Sequence, residues 1–142
     1  MADPHAFNEA IVEEFRAKGG QLGGNYEGEP VVLVHSVGRK TGVLRVKPML
    51  YRPHAEDTNV IYVFASGAGR PKNPAWYQNI TSAGRITIEV GPETYEAEVR
   101  ELKGDERDAV FAAHVGDYPR FADFQAKCAG VRLIPVVELT RI

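Results

Sequence analysis

Apolar residues recur every four positions at Phe7, Ile11 and Phe15, with charged residues between them and Gly19-Gly20 after them. That spacing predicts an amphipathic helix over 7–18, stopped by the glycines. After a Gly- and Asn-rich loop, the period changes. Pro30-Val-Val-Leu-Val-His-Ser-Val37 is a β-branched run bounded by turn residues, which predicts a buried strand. Gly38-Arg-Lys-Thr-Gly42 is a tight connection and Val43–Arg52 resumes as a strand, so 31–52 predicts a hairpin. Val60–Ser66 predicts a third strand running into the loop Gly67-Ala-Gly-Arg-Pro-Lys72.

Asn73-Pro74 has the form of a helix start, an Asn that can cap free amides before a Pro at the first helical position. A short helix carrying Trp76 and Tyr77 follows from it. Arg85–Val90, a Gly91-Pro92 turn and Tyr95–Leu102 predict a second hairpin. Gly104-Asp105-Glu106 opens a helix to about His114, and Tyr118-Pro119 opens another with Phe121, Phe124 and Cys128 at spacings of three and four. Val131–Arg141 predicts a closing strand. Strands joined by hairpins exclude a parallel doubly wound sheet, whose strands need long crossovers. The expected class is α+β, a small antiparallel barrel with helices packed outside. No repeat or linker divides the chain, so 1–142 is expected to form one domain, with 1–29 its N-terminal helix and loop.

Composition, 44% hydrophobic and 25% charged, is that of an ordinary soluble globular protein. No apolar run approaches the roughly 20 residues of a membrane span, and the acidic N-terminus lacks the features of a signal peptide. A single cysteine, Cys128, cannot close an intramolecular disulfide and reads as a small buried apolar residue. These features predict a cytoplasmic protein, with the inner face of the membrane as a compatible location. The net charge of −2 hides an asymmetry. Between Pro30 and Ile88, eight cations (Arg39, Lys40, Arg45, Lys47, Arg52, Arg70, Lys72 and Arg85) stand against two acids, Glu56 and Asp57. A local surplus in a mildly acidic chain predicts a site for a small anion rather than for nucleic acid.

Several chemistries are excluded by single residues. Lys72 stands where a dinucleotide fingerprint begun by Gly67-Ala-Gly69 needs its third glycine. Arg39 interrupts the Gly-Lys pair of a P-loop, and Phe64 stands where a nucleophile elbow around Ser66 needs glycine. His5, His35, His54 and His114 have no metal-ligand spacing, so no metal is expected and each reads as a surface or satisfied histidine. What remains is a basic hairpin able to grip phosphate and carboxylate groups, a small-residue loop at 66–69 that a ligand can approach closely, and two aromatic sets. An anion clamp beside an aromatic slot suits a flavin-like cofactor.

Gly38-Arg-Lys-Thr-Gly42, Arg45-Val-Lys-Pro48, Ala65-Ser-Gly67, Lys72-Asn-Pro-Ala-Trp-Tyr-Gln-Asn79, Asp117-Tyr-Pro119 and Ile134-Pro-Val-Val137 occur in this order. Together they resemble the deazaflavin-dependent nitroreductase family of actinobacterial enzymes, many of them quinone reductases using reduced coenzyme F420. The resemblance implies the split β-barrel of flavin-binding oxidoreductases. It also implies that Arg39, Lys40, Thr41, Arg45, Val46 and Lys47 meet the cofactor's phosphate and glutamate tail. Pro48, Met49, Leu50, Phe64, Ala65, Ser66 and Gly67 would line the deazaflavin, with Ala75, Trp76, Tyr77, Gln78, Asn79 and Phe121 adding contacts. Tyr118, Phe121 and Phe124 would wall the acceptor pocket. Ser66 and Tyr118 are the candidate catalytic groups, Ser66 as a hydrogen-bond donor and Tyr118 as a proton donor. Where relatives that reduce nitroimidazole drugs carry further tyrosines, Phe121 and Phe124 stand here, and Gly67 replaces a frequent lysine. The expected partner is a small quinone-like acceptor, and a homodimer is compatible with the sequence. Peripheral membrane contact through the first helix is compatible with a quinone substrate, but Glu9, Glu13 and Glu14 favour packing against protein. The other readings are an FMN or haem user of the same barrel and a non-catalytic F420 carrier.

Overall fold

The structure, a computed structural model, describes residues 4–142; the Phe7 side chain, predicted to help seat the first helix, lies outside the described residues. Helix α1 (Pro4–Ala17) leads into strands β1 (Val31–Val37), β2 (Leu44–Pro53) and β3 (Val60–Phe64). Helix α2 (Ala75–Ala83), β4 (Arg85–Val90), β5 (Glu93–Glu101), α3 (Gly104–Asp117), α4 (Arg120–Lys127) and β6 (Val136–Arg141) complete the chain. The six strands close into a barrel in the order β1-β2-β3-β6-β5-β4, every pairing antiparallel. The α+β barrel expected from the hairpins is what forms.

Alternation along the strands sorts the side chains into two shells. Val32, Val34, Ile61, Val63, Ile86, Ile88, Ala97, Val137 and Leu139 fill the interior, joined by Ile80 of α2, and Met49, Tyr51, Trp76 and Tyr77 pack against them. The opposite faces of β3 and β6 present Val60, Tyr62, Phe64 and Val136 to Phe111, Phe121 and Cys128 on the helical side. Both faces of β3 are therefore covered, which explains its uninterrupted apolar sequence. Phe15 and Val12 of α1 pack on Val31 and Leu33 of β1. Arg16 then fastens the helix through two hydrogen bonds to the buried Glu89 carboxylate, at 2.9 and 2.7 Å, and His35 Nε2 lies 2.7 Å from the same group.

Three predicted boundaries shift for identifiable reasons. The closing strand starts at Val136 rather than Val131, because the preceding backbone is committed to α4. Arg132 N–H donates to Cys128 O, and Ile134 N–H donates to Gln125 Oε1. Strand β3 stops at Phe64 because Ser66 takes helical angles (φ −72°, ψ −39°). The third helix runs past His114 to Asp117, closed when Tyr118 N–H donates to His114 O.

Candidate functional site

A cavity of about 650 Å3 opens where the chain leaves β3 and crosses to α2, lined by Met49, Phe64, Ser66, Gly67, Trp76 and the run Arg70–Pro74. Its volume is that of a pocket for a drug-sized or cofactor-sized ligand. Met49, Phe64 and Trp76 make an apolar bed, while Arg70 and Lys72 put cations at its edge. The loop side is shaped by a left-handed run: Gly67 at φ 52°, Ala68 at 54° and Gly69 at 79°. At Gly69 a side chain is excluded, since a Cβ would lie 2.7 Å from Phe124 O and 2.9 Å from Lys127 Cβ. This seats the loop tightly on α4.

The guanidinium of Arg132 holds the same loop from behind. Its Nε donates to Arg70 O at 2.9 Å, Nη1 to Ala65 O and Asn73 Oδ1, both at 2.9 Å, and Nη2 to Ser66 O at 2.6 Å. The predicted cap at Asn73 is thereby corrected. Pro74, not Asn73, is the N-cap of α2, with no side-chain cap bond, because the Asn73 side chain serves Arg132 instead.

The basic hairpin projects beyond the barrel. Pairing of β1 with β4 ends at Val34↔Ile88, whereas pairing of β1 with β2 continues to Val37↔Leu44. Helix α2 braces the projecting arm. Asn79 Nδ2 donates to Ser36 Oγ at 3.0 Å, Asn79 Oδ1 accepts Arg39 N–H at 3.1 Å, and Gln78 Oε1 accepts from Arg39 Nη2 at 2.7 Å. The motifs around residues 38–47 and 72–79 therefore meet on one helix, whose first residues border the cavity. Of the eight cations in this part of the chain, Arg52 and Arg85 pair with Asp117 and Glu96. Lys40, Arg45, Lys47, Arg70 and Lys72 have no carboxylate partner among the described residues. Thr41 Oγ1 accepts Val43 N–H and closes the turn.

Other predicted site residues are distributed differently. Alternation places Met49 against the barrel interior but Leu50 in the outer aromatic cluster and Val46 against α1. Tyr77 packs on the barrel core and donates to Glu101 Oε1 at 2.5 Å; burial first, then that carboxylate, pushes its pKa up to about 12. It is a structural phenol. Tyr118, Phe121 and Phe124, expected to wall an acceptor pocket, do not line the cavity. Phe121 is 6% exposed and forms a layer behind Phe64, with ring centroids 5.8 Å apart. Burial, with Glu29 and Asp117 nearby, raises the Tyr118 pKa.

His114 completes that layer and departs from the surface or satisfied histidine expected. It is fully buried, neither ring nitrogen has a hydrogen-bond partner, and it stacks on Phe64 at 3.9 Å and 12°. Burial, reinforced by the cations Arg52 and Arg120 and opposed by Asp117, pulls its pKa down to about 4. The ring is neutral at neutral pH. Sequence reasoning also missed Arg70–Pro74 as cavity wall, although Lys72, Asn73 and Pro74 open a recognised motif and the cation Arg70 stands just before it. Arg132 had none.

Comparison with known proteins places these features in context. Residues 8–141 match the family model described as F420H(2)-dependent quinone reductase. The chain is 28% identical over 131 residues to the F420H(2)-dependent quinone reductase Rv1261c of Mycobacterium tuberculosis, covering 89% of this chain and 85% of that protein. A solved F420-H2 dependent reductase, FDR-A, superposes with a TM-score of 0.65 at 32% identity, covering 78% of this chain and 93% of the other. A second solved structure, described as a domain-swapped dimer, gives 0.68 at 29% identity over 96% and 99% of the two chains.

Proposed function

The chain belongs to the F420H(2)-dependent quinone reductase family, and from that premise we propose that its cavity seats the deazaflavin ring and its basic hairpin the anionic tail. It is an oxidoreductase whose hydride donor is reduced coenzyme F420 and whose acceptor is a quinone. When bound, the cofactor supplies the hydride from C5 of its deazaflavin. The chain's own residues bind, orient and exclude water. Met49, Phe64 and Trp76 offer apolar surface to a planar ring, and Ser66 and Gly67 allow backbone approach on the other side. Lys40, Arg45 and Lys47 meet the tail's phosphate and carboxylates, with Arg39 and Thr41 fixing the turn that carries them.

The observation that carries this reading is an apolar cavity with Arg70 and Lys72 in its wall, joined through α2 to a hairpin whose Arg39, Lys40, Arg45 and Lys47 likewise have no carboxylate partner among the described residues. FMN, with a single phosphate, would leave most of them unmatched. The cavity wall contains no carboxylate and no imidazole, so the proton for the reduced quinone comes from solvent, and Ser66 is the wall's hydroxyl able to hold an acceptor oxygen. Tyr118 does not line this wall. One domain carries both functions, and the likeness to a solved structure described as a domain-swapped dimer, at 29% identity, supports a homodimer. No described helix is long and apolar enough to cross a membrane.

A competition titration of F420 against FMN tests the reading, followed by steady-state quinone reduction with reduced F420. Preference for F420 with turnover is expected. Equal or tighter FMN binding would overturn the cofactor assignment, and tight F420 binding without quinone turnover would make the protein a carrier. Light scattering reads the dimer.

A further inference from the structure

The structure assigns Arg132 a positioning role in this reaction: its guanidinium holds residues 65–73 in the shape that receives the cofactor ring, an assignment that rests on reading the cavity as the deazaflavin seat. Four of its five N–H donors are used, on acceptors at Ala65, Ser66, Arg70 and Asn73, which lie at both ends of the loop. The loop between them contains three consecutive residues at positive φ, one of them the non-glycine Ala68. A chain so arranged gains little from local propensity and needs an external brace. Arg132 is itself braced: its carbonyl accepts from Gln125 Nε2 at 3.0 Å, and Gln125 Oε1 accepts from Ile134 N–H at 2.8 Å and from Arg107 Nη2 at 3.2 Å. Arg107 is buried and stands over the Phe111 ring at 4.3 Å. A continuous set of hydrogen bonds thus runs from the α3–α4 layer to the cavity wall.

The geometry demands a guanidinium rather than any cation. Its planar fork meets acceptors in several directions at once, whereas an ammonium has three donors on one atom. Arg132 touches carbonyls and one amide oxygen, not the cavity's contents, so it acts through the loop. Its loss leaves the barrel intact and the loop only part of the time in the receiving shape. Apparent affinity then falls by the fraction of time that shape is lost, so a loop ordered a tenth of the time binds about tenfold more weakly.

The test begins with F420 titration of the unmutated protein; failure to bind there would count against the proposed function and not against Arg132. Independently of any ligand, amide hydrogen exchange is compared in the wild type and Arg132→Gln. The two hydrogen-bonded loop amides, Gly69 and Arg70, should exchange about tenfold faster while β3 and β6 keep their protection. Unchanged exchange at Gly69 and Arg70 overturns the assignment, as does an equal loss of protection throughout the barrel. In the enzyme, Arg132→Gln should raise the KM for reduced F420 about tenfold with kcat at saturation nearly unchanged; a fall in kcat alone contradicts a positioning role. Arg132→Lys should recover only part of the affinity, and millimolar guanidinium ion should restore much of it to Arg132→Ala. Full recovery by lysine would reduce the role to charge and refute the bridging geometry.

Discussion

Acidification should destabilise this protein through one side chain, His114. A histidine near pKa 6.5 in the unfolded chain and near 4 in the fold binds its proton more weakly when folded. As pH falls, the unfolded chain takes up the proton first. The stability that the neutral ring preserves is complete above about pH 6.5, drains away down to about pH 4, and is gone below that. The whole difference corresponds to on the order of 3 kcal/mol, of which about 2 kcal/mol should be lost between pH 7 and pH 5. Glu89, held below the usual carboxylate range chiefly by its hydrogen bond from Arg16, loses its contribution only below about pH 4.5, outside this interval. Urea unfolding at pH 7 and pH 5, on the wild type and on His114→Leu, reads the effect directly. The wild type should lose about 2 kcal/mol and the variant should lose little, whatever its absolute stability. A variant with the same pH loss as the wild type would refute the assignment. Because the folded ring titrates only near pH 4, the ring stacked on Phe64 stays neutral over this interval, and cofactor affinity of the folded protein should not change through His114.

Replacing Lys40 and Arg45 together by alanine should weaken F420 binding roughly 3- to 30-fold and flatten its salt dependence, with a tailless deazaflavin unaffected; equal weakening of both ligands would dissociate the hairpin from the tail. Trp76→Ala, at a half-buried position, should destabilise by less than the roughly 3–5 kcal/mol typical of a fully buried tryptophan yet abolish most F420 binding, and a folded variant of unchanged affinity would show that Trp76 only packs. Phe121→Tyr should lower the melting temperature and leave the acceptor range unchanged, since its hydroxyl enters a buried aromatic layer, where an unpaired polar group costs about 1–3 kcal/mol. New activity on nitroimidazoles in that variant would argue against this. Gly69→Ala, with a Cβ driven into Phe124 O and Lys127, should displace the loop from α4 and impair F420 binding, as titration of the folded variant would report.

Barrel and hairpins were legible because strand alternation and glycine turns are local signals. The runs at 31–37, 44–53, 60–64 and 85–101 appear close to where their apolar pattern predicts them. Met49, Ser66, Gly67 and Trp76 of the cavity were reached through the family resemblance, and alternation then decides between neighbours: Met49 and Leu50 cannot both face the ring. Local logic failed where a distant partner competed. Asn73 beside Pro74 has every mark of a cap, yet an arginine 59 residues away takes its oxygen. Arg132 was invisible because three of its four acceptors are backbone carbonyls, which leave no trace in residue type. The late aromatic residues were misplaced relative to the cavity because spacing along a helix says which side chains share a face and not which surface that face meets.

The projecting arm of the first hairpin has a colloidal consequence. Pairing of β2 with β3 spans only Tyr51–Pro53, so residues 44–50 present an open strand edge on that side. Val37, Val43 and Leu44 are about half exposed on the same arm, at 50%, 45% and 51%. An open edge with apolar side chains invites another chain to extend the sheet, and lysines or arginines along it are the usual deterrent. Arg45 and Lys47 occupy that place, with Lys40 in the turn beyond it. The charges that would receive the cofactor's tail therefore also keep the ligand-free protein from adding strands to itself, and a bound tail, by neutralising them, changes how readily two molecules meet along this edge.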